Sequence, residues 1–382
     1  MYSVEKTKSY NYVKQFDYAL FVAVLILSII GLFVLNSATR VMPGNINGDR
    51  IMLMQSLGFA IGVSLSIIIS TIDYKDFKII GIVLYIFSII LLVLVLFIGT
   101  GAQQGSQSWL RVPLIGSFQP SELAKITMVV FVSTFLERIK EGQKNKNGNI
   151  AKFAVYCMLP IGLVLLEPDF GTAMVFIFII VVMVYICGLE YKYFWGCLLA
   201  SIPVIILSWF FVLQDYQKSR ILAFLAPEKY KQGASFNVTH SITAIGSGQI
   251  FGKGLYQGIQ TQNAGVPVKE SDFIFSVIGE ELGFIGAMVV LVLIFFILIR
   301  CVYIAKKARD SYGSFLVIGL TGMLSIHFIE NIGMCIGILP VTGIPLPFIS
   351  SGGSAMVTNY IAVGIILSVS MRRQRTIFNN TQ

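Results

Sequence analysis

Seven ionisable side chains stand inside or beside otherwise apolar stretches of this 382-residue chain: Arg111, Glu122, Lys125, Asp272, Glu280, Glu281 and Glu330. A charge in hydrocarbon costs about 3 kcal/mol on insertion scales and is rarely kept without a partner or a task. These residues therefore mark where proton transfer and ion pairing are expected. Glu122 and Lys125, at i and i+3, share one helix face and can pair. Arg111 follows Trp109 and Leu110 just ahead of that stretch, Asp272 opens a later apolar run, and Glu330 lies midway along the next one. Each also has a plainer reading. Asp272, directly after Ser271, fits a first-turn acid favoured by the helix dipole. Glu122 and Lys125 fit a buried structural pair, Glu280, Glu281 and Glu330 fit packing partners, and Arg111 fits an interfacial anchor. Their types and places suggest an outward-facing polar cleft and do not say what fills it.

The elements that must position these residues are membrane helices. With 56% hydrophobic residues, 12% charged residues and a mean hydropathy of +0.81, the chain lacks the polar surface to cover a soluble globule. Lipid is its solvent. Stretches suited to spanning run near 18–37, 51–70, 77–99, 121–136, 152–167, 171–188, 192–213, 272–299, 313–339 and 353–371. The expected fold is all-α, one polytopic domain over 1–382 with about ten spans. The first apolar stretch follows Lys6, Lys8 and Lys14 and resembles a signal peptide, but its length and the spans behind it favour an uncleaved helix.

Basic residues set the expected orientation. A cytoplasmic N-terminus puts Lys75, Lys78, the group from Arg138 to Lys152, the group Arg300, Lys306, Lys307 and Arg309, and the tail Arg372, Arg373 and Arg375 on one side. An even number of spans then returns the C-terminus to the cytoplasm. This explains the net charge of +9 through topology and anionic headgroups, without nucleic acid. Cys157, Cys187, Cys197, Cys301 and Cys335 all fall within or at the ends of spans and show neither a disulfide framework nor metal-ligand spacing. His327 lies in a span, where a bundle-facing hydrogen-bonded role competes with a functional one.

Residues 214–271 form a long connection between the seventh and eighth spans, expected outside the cell. Within it, Tyr216 to Leu225 and Ser235 to Ile245 read as amphipathic helices at the membrane interface, separated by Pro227. From Gly337 to Gly353 three prolines and several glycines forbid a continuous helix. Being apolar and uncharged, that stretch is expected to lie buried in the bundle. No internal repeat of the transporter kind is evident.

Four stretches carry a resemblance. They are Gln107-Ser-Trp-Leu-Arg111 with Phe118-Gln-Pro-Ser-Glu-Leu-Ala-Lys125; Glu167-Pro-Asp-Phe-Gly-Thr172; Asp272-Phe-Ile-Phe-Ser-Val-Ile-Gly-Glu-Glu-Leu-Gly283; and Asn331-Ile-Gly-Met with Pro345-Leu-Pro-Phe-Ile-Ser-Ser-Gly-Gly353. In this order, over essentially the whole chain, they resemble the SEDS family (shape, elongation, division and sporulation). Leu339-Pro-Val-Thr-Gly-Ile-Pro-Leu-Pro347 reads as the version of the elongation branch.

The resemblance implies a peptidoglycan glycosyltransferase polymerising lipid II on the outer face of a bacterial plasma membrane. Asp272 matches the family's essential aspartate and is the implied general base. Such chemistry also needs cations near the departing pyrophosphate. Lys125, oriented by Glu122, and Arg111 beside Trp109 are the first choices, and Lys218 and Arg220 in the long loop are the second. A divalent cation, Mg or Mn, could accompany the pyrophosphate. The implied partner is a class B penicillin-binding protein, a transpeptidase. The chain departs from the usual pattern in the run Val266-Pro-Val-Lys-Glu-Ser-Asp272, where Leu-Pro-Glu is common, in Glu167 for glutamine and in Ser351 for tyrosine. A lipid II flippase and a non-catalytic scaffold are the competing classes, and a division or sporulation paralogue the competing branches.

Overall fold

The computed structural model describes residues 15–41, 48–100, 108–112, 116–142, 146–188, 210, 213–230, 234–263 and 265–373. Among the described residues thirteen α-helices and one two-stranded hairpin appear. The helices are α1 Tyr18–Arg40, α2 Gly48–Thr71, α3 Tyr74–Ile98, α4 Pro120–Lys140, α5 Lys146–Leu166, α6 Phe170–Cys187 and α7 Asp215–Leu225. They continue as α8 Ala234–Ser247, α9 Ile259–Gln262, α10 Ile274–Glu281, α11 Gly283–Lys306, α12 Ser311–Cys335 and α13 Gly353–Met371. The hairpin pairs β1 Leu110–Val112 with β2 Gly116–Phe118, antiparallel.

Eight of these helices are long and apolar enough to cross a membrane: α1, α2, α3, α5, α6, α11, α12 and α13. Their outward faces carry large exposed apolar side chains, such as Ile79, Phe97 and Phe295, as lipid-facing surfaces must. The expected fourth span is α4. Its charges keep it out of that group of eight, and 18 of its 21 residues are buried. It packs with α3, α5 and α12 as a central helix rather than a lipid-facing one. The expected seventh span, 192–213, lies outside the described residues except for Phe210 and Leu213.

Caps explain where several helices begin. Asp17 Oδ1 accepts from Leu20 N at 3.0 Å ahead of α1, Asp169 Oδ1 from Thr172 N at 3.0 Å ahead of α6, and Asp310 Oδ1 from Gly313 N at 2.8 Å ahead of α12. Pro120 opens α4 at a position where no amide hydrogen is needed. At the end of the bundle where α1 begins and α13 finishes, opposite charges meet. Asp17 pairs with Arg300 and Arg373, Asp73 with Arg372, and Asp310 with Lys75. The other end holds the strands β1 and β2, the described parts of the connection 213–282 and the irregular stretch 336–352.

One sequence expectation is corrected. The eighth span does not start at Asp272 but is broken at Gly283, which separates the short helix α10 from the spanning helix α11. Gly283 has φ +67, and a side chain there would lie 2.2 Å from Gly252 N and 2.7 Å from Ile250 O. Only glycine permits this turn and the close passage of the loop. Glu280 and Glu281 therefore stand before the span rather than deep within it. They receive the loop instead: Glu280 accepts from Gln260 N and Thr261 N at 2.8 Å and pairs with Lys253, while Glu281 accepts from Ser37 Oγ at 2.7 Å.

Candidate functional site

Asp272 lies in a turn ahead of α10, whose N-cap is Phe273, so it is not the first-turn acid that its place after Ser271 suggested. Burial is the main influence on its ionisation. Its side chain is half-buried, and Ser271 Oγ donates to Oδ1 at 3.0 Å. Burial pushes its carboxyl up to about 6, with Glu270 acting in the same direction and the Ser271 hydrogen bond and the Arg220 charge opposing.

The turn is fastened from behind by its backbone. Asn331 Nδ2 donates to Asp272 O at 2.8 Å, Ser350 Oγ to Ser271 O at 2.6 Å, and Ser351 N to Glu270 O at 2.8 Å. The fastening elements are α12 and the irregular stretch before α13. The expectation that Gly337 to Gly353 lies buried holds only from Ile344 to Ser350, except at Pro345; the earlier part stays partly open, with Ile338 exposed.

Facing this turn is α7. Gln217, Arg220 and Ile221, spaced i, i+3 and i+4, share a face that lines a cleft of about 70 Å³ with Asp169, Pro340 and Thr342. Gln217 Nε2 donates to Pro168 O at 2.9 Å and ties α7 to the turn between α5 and α6. Asp169 is held by Gln119 Nε2 at 3.0 Å and by the amide and hydroxyl of Thr172. Burial raises its ionisation range, partly offset by the Thr172 hydrogen bonds and the Lys125 charge. Gly343, at φ +77, joins the two halves: a methyl group on it would lie 3.5 Å from Asp272 Oδ2 and 3.9 Å from Arg220 Nη1. A carboxylate and a guanidinium thus converge on one bare stretch of backbone.

The sequence-nominated cations separate into three places. Arg220 is at the cleft, whereas Lys218, two residues away on the same helix, is not among its lining residues. Lys125 is almost completely buried behind the cleft, where its Nζ lies 2.7 Å from Glu122 Oε1 and 2.8 Å from His327 Nε2. Its ammonium is committed to these partners, and its charge reaches Asp169 electrostatically. Trp109 and Arg111 belong to the hairpin side, where Trp109 bridges to Thr100 and Arg111 is exposed opposite Ser117. Of these four cations, Arg220 is the one that lines the cleft. Asp169, Gln217, Thr342 and Gly343 were not singled out from sequence. Asp169, Thr342 and Gly343 sat inside quoted motifs, while Gln217 is marked only by its helical spacing from Arg220. Among the described residues no three His, Cys, Asp or Glu side chains are grouped to hold a metal ion.

The arrangement is that of a polytopic membrane protein with an acid and a cation converging at one end of the bundle. Residues 18–375 match the family model described as cell cycle protein, which comprises FtsW, RodA and SpoVE. The peptidoglycan glycosyltransferase MrdB of Escherichia coli strain K12 is 34% identical over 324 residues, 85% of this chain and 86% of that protein. Stage V sporulation protein E of Bacillus subtilis is 35% identical over 367 residues, 93% of this chain and 96% of that protein. Among solved structures, the rod shape determining protein RodA of Thermus thermophilus superposes with a TM-score of 0.69 at 26% identity, covering 94% of this chain and 98% of that one. A chain from a structure titled for polymerization and crosslinking by a peptidoglycan synthase complex superposes with a TM-score of 0.77, also at 26% identity, over 94% and 99%. The chain belongs to the SEDS family of membrane-embedded peptidoglycan glycosyltransferases.

Proposed function

We propose that this enzyme polymerises lipid II at the outer face of the plasma membrane during cell elongation and rod-shape maintenance, with Asp272 as general base. The observation that carries this reading is the convergence of Asp272 Oδ2 and Arg220 Nη1 on Gly343. The Asp272 carboxylate takes the proton of the acceptor sugar's 4-hydroxyl as that oxygen attacks the anomeric carbon of a second lipid-linked disaccharide. The bond from this carbon to the phosphate oxygen breaks with inversion, and undecaprenyl pyrophosphate leaves with the bonding electrons. Arg220 offers a planar, permanently charged fork to the growing negative charge on the diphosphate. A base whose carboxyl titrates near 6 is mostly ionised at neutral pH and still basic enough to accept the proton in the transition state.

A divalent cation would be carried by the diphosphate and would offset its growing charge, since Asp169, the carboxylate at the cleft, is already engaged by Gln119 and Thr172. The prenyl chains stay in the bilayer, which is why the catalyst is embedded there. The basic residues at the opposite end of the bundle support cytoplasmic termini and an outward cleft. A class B penicillin-binding protein fits as the partner that crosslinks the new strand. Purified enzyme given lipid II in detergent tests the reading. Glycan polymer that vanishes with Asp272→Ala supports it; polymer unchanged by that substitution would remove Asp272 from the chemistry. Transbilayer movement without polymer would favour a flippase, and neither activity a scaffold.

A further inference from the structure

Asp272 and the Gly343 backbone it faces beside the cleft belong to segments about 70 residues apart in sequence, the turn ahead of α10 and the irregular stretch before α13. They are bonded directly through Ser350 and Ser351, and one side chain from a third element, α12, also touches both. Asn331, fully buried on α12, donates one amide hydrogen to Asp272 O at 2.8 Å and the other to Ile344 O at 2.8 Å, one residue beyond Gly343. Of the other tethers, Ser350 Oγ to Ser271 O and Ser351 N to Glu270 O hold neighbouring residues, while the Cys335 thiol reaches Asp272 O at 3.5 Å but not Ile344 O, so Asn331 is the side chain that bonds both carbonyls. We propose that Asn331 is a positioning residue for the transfer step, its carboxamide clamping the general-base turn against the Gly343 backbone so that Asp272 and Arg220 keep their working separation.

The residue type follows from this task. The clamp needs two donors diverging from one short, rigid stem, aimed at two carbonyl oxygens that are shielded from water. Asparagine supplies them. Serine supplies only one donor. Aspartate would set a carboxylate against two carbonyl oxygens, and leucine of similar volume supplies no donor, leaving Ile344 O without its side-chain partner and Asp272 O with only the weak Cys335 thiol. Asn331 does not reach the sugar or the diphosphate in this scheme. It acts through Asp272, so its loss should slow the chemical step more than it weakens substrate capture. A displacement of about 1 Å at a reacting group can cost about 100-fold in rate.

The inference rests on the reading of Asp272 as base, and the test keeps the two apart. Full-length native enzyme, Asn331→Leu, Asn331→Ser and Asp272→Asn are purified in detergent, checked for monodisperse elution, and assayed with lipid II across pH 5–8. For Asn331→Leu the expected result is a kcat lowered about 30-fold or more with KM within about threefold. Its acid limb should also move downward by at least about half a pH unit, because Asp272, with Arg220 and Glu270 its charged neighbours, is no longer pressed into its desolvated place. Asn331→Ser, with one donor, should fall between, and it carries the test if the leucine variant elutes aggregated. Folded Asn331 variants with native kcat, or with lower kcat and an unmoved acid limb, would overturn the positioning role. If Asp272→Asn polymerises normally, the base assignment itself fails, whatever the Asn331 variants do.

Discussion

Replacing Asp272 by asparagine should separate chemistry from folding, because the same burial that makes this carboxylate a useful base strains the native state. Its carboxyl rises from 3.8 to about 6 on folding, so the native protein binds its proton more tightly than the unfolded chain does. Stability therefore falls as pH rises from about 4 to about 6 and stays at the lower level above that window. At about 1.4 kcal/mol per pH unit the shift corresponds to about 3 kcal/mol at pH 7; the side chain is partly solvent-exposed, and about 1–2 kcal/mol is a fairer figure. The amide carries no charge to desolvate, so Asp272→Asn should raise the thermal unfolding midpoint in detergent by about 2–4 °C at pH 7 and leave it unchanged at pH 4. Polymerisation of lipid II should be abolished at both. In the native enzyme, ionisation near 6 predicts a rate that rises about tenfold between pH 5 and pH 7 and then levels. A midpoint lowered by the substitution at pH 7, or a native rate flat across pH 5–7, would refute the account of Asp272 as a desolvated base.

Three further substitutions probe the surroundings. Arg220→Ala should lower the polymerisation rate by about 100-fold, whereas Lys218→Ala, which removes a cation outside the cleft lining, should stay within about threefold of native on the same lipid II assay. Lys125→Ala leaves Glu122 buried without its ammonium, so a loss of about 3–5 kcal/mol is expected, read as a lower unfolding midpoint; a second change, Glu122→Gln, should recover part of it. Glu280→Gln removes the carboxylate that receives Gln260 N, Thr261 N and Lys253, and should expose the 248–262 loop to limited proteolysis at temperatures where the native loop is protected.

The membrane architecture was legible because hydropathy and length are local properties. The boundaries of α1, α2, α3 and α6 fall within a few residues of the stretches read from sequence, and the two loop helices were recovered from their amphipathic spacing. The break at Gly283 was not legible. A run from Asp272 to Ile299 is apolar enough to pass for one helix, and what interrupts it is the passage of Ile250 and Gly252, more than 30 residues earlier in the chain. The placement of the cations was hidden for a related reason. Sequence shows that Lys125 stands next to Glu122 on one helix face, but only packing brings His327 to the other side of that ammonium and commits it. Arg220 looked no better than Lys218 because both lie on the same short helix. The choice between them depends on a rotation of two residues about the α7 axis and on Gly343, which leaves room for a guanidinium beside a carboxylate. Motif residues thus mark the ingredients, while their distances are set by backbone carbonyls, a bare glycine and one buried amide. A site assembled this way should be more sensitive to changes in the tethers than to changes in exposed charges nearby, and this is the contrast that Asn331→Leu and Lys218→Ala measure.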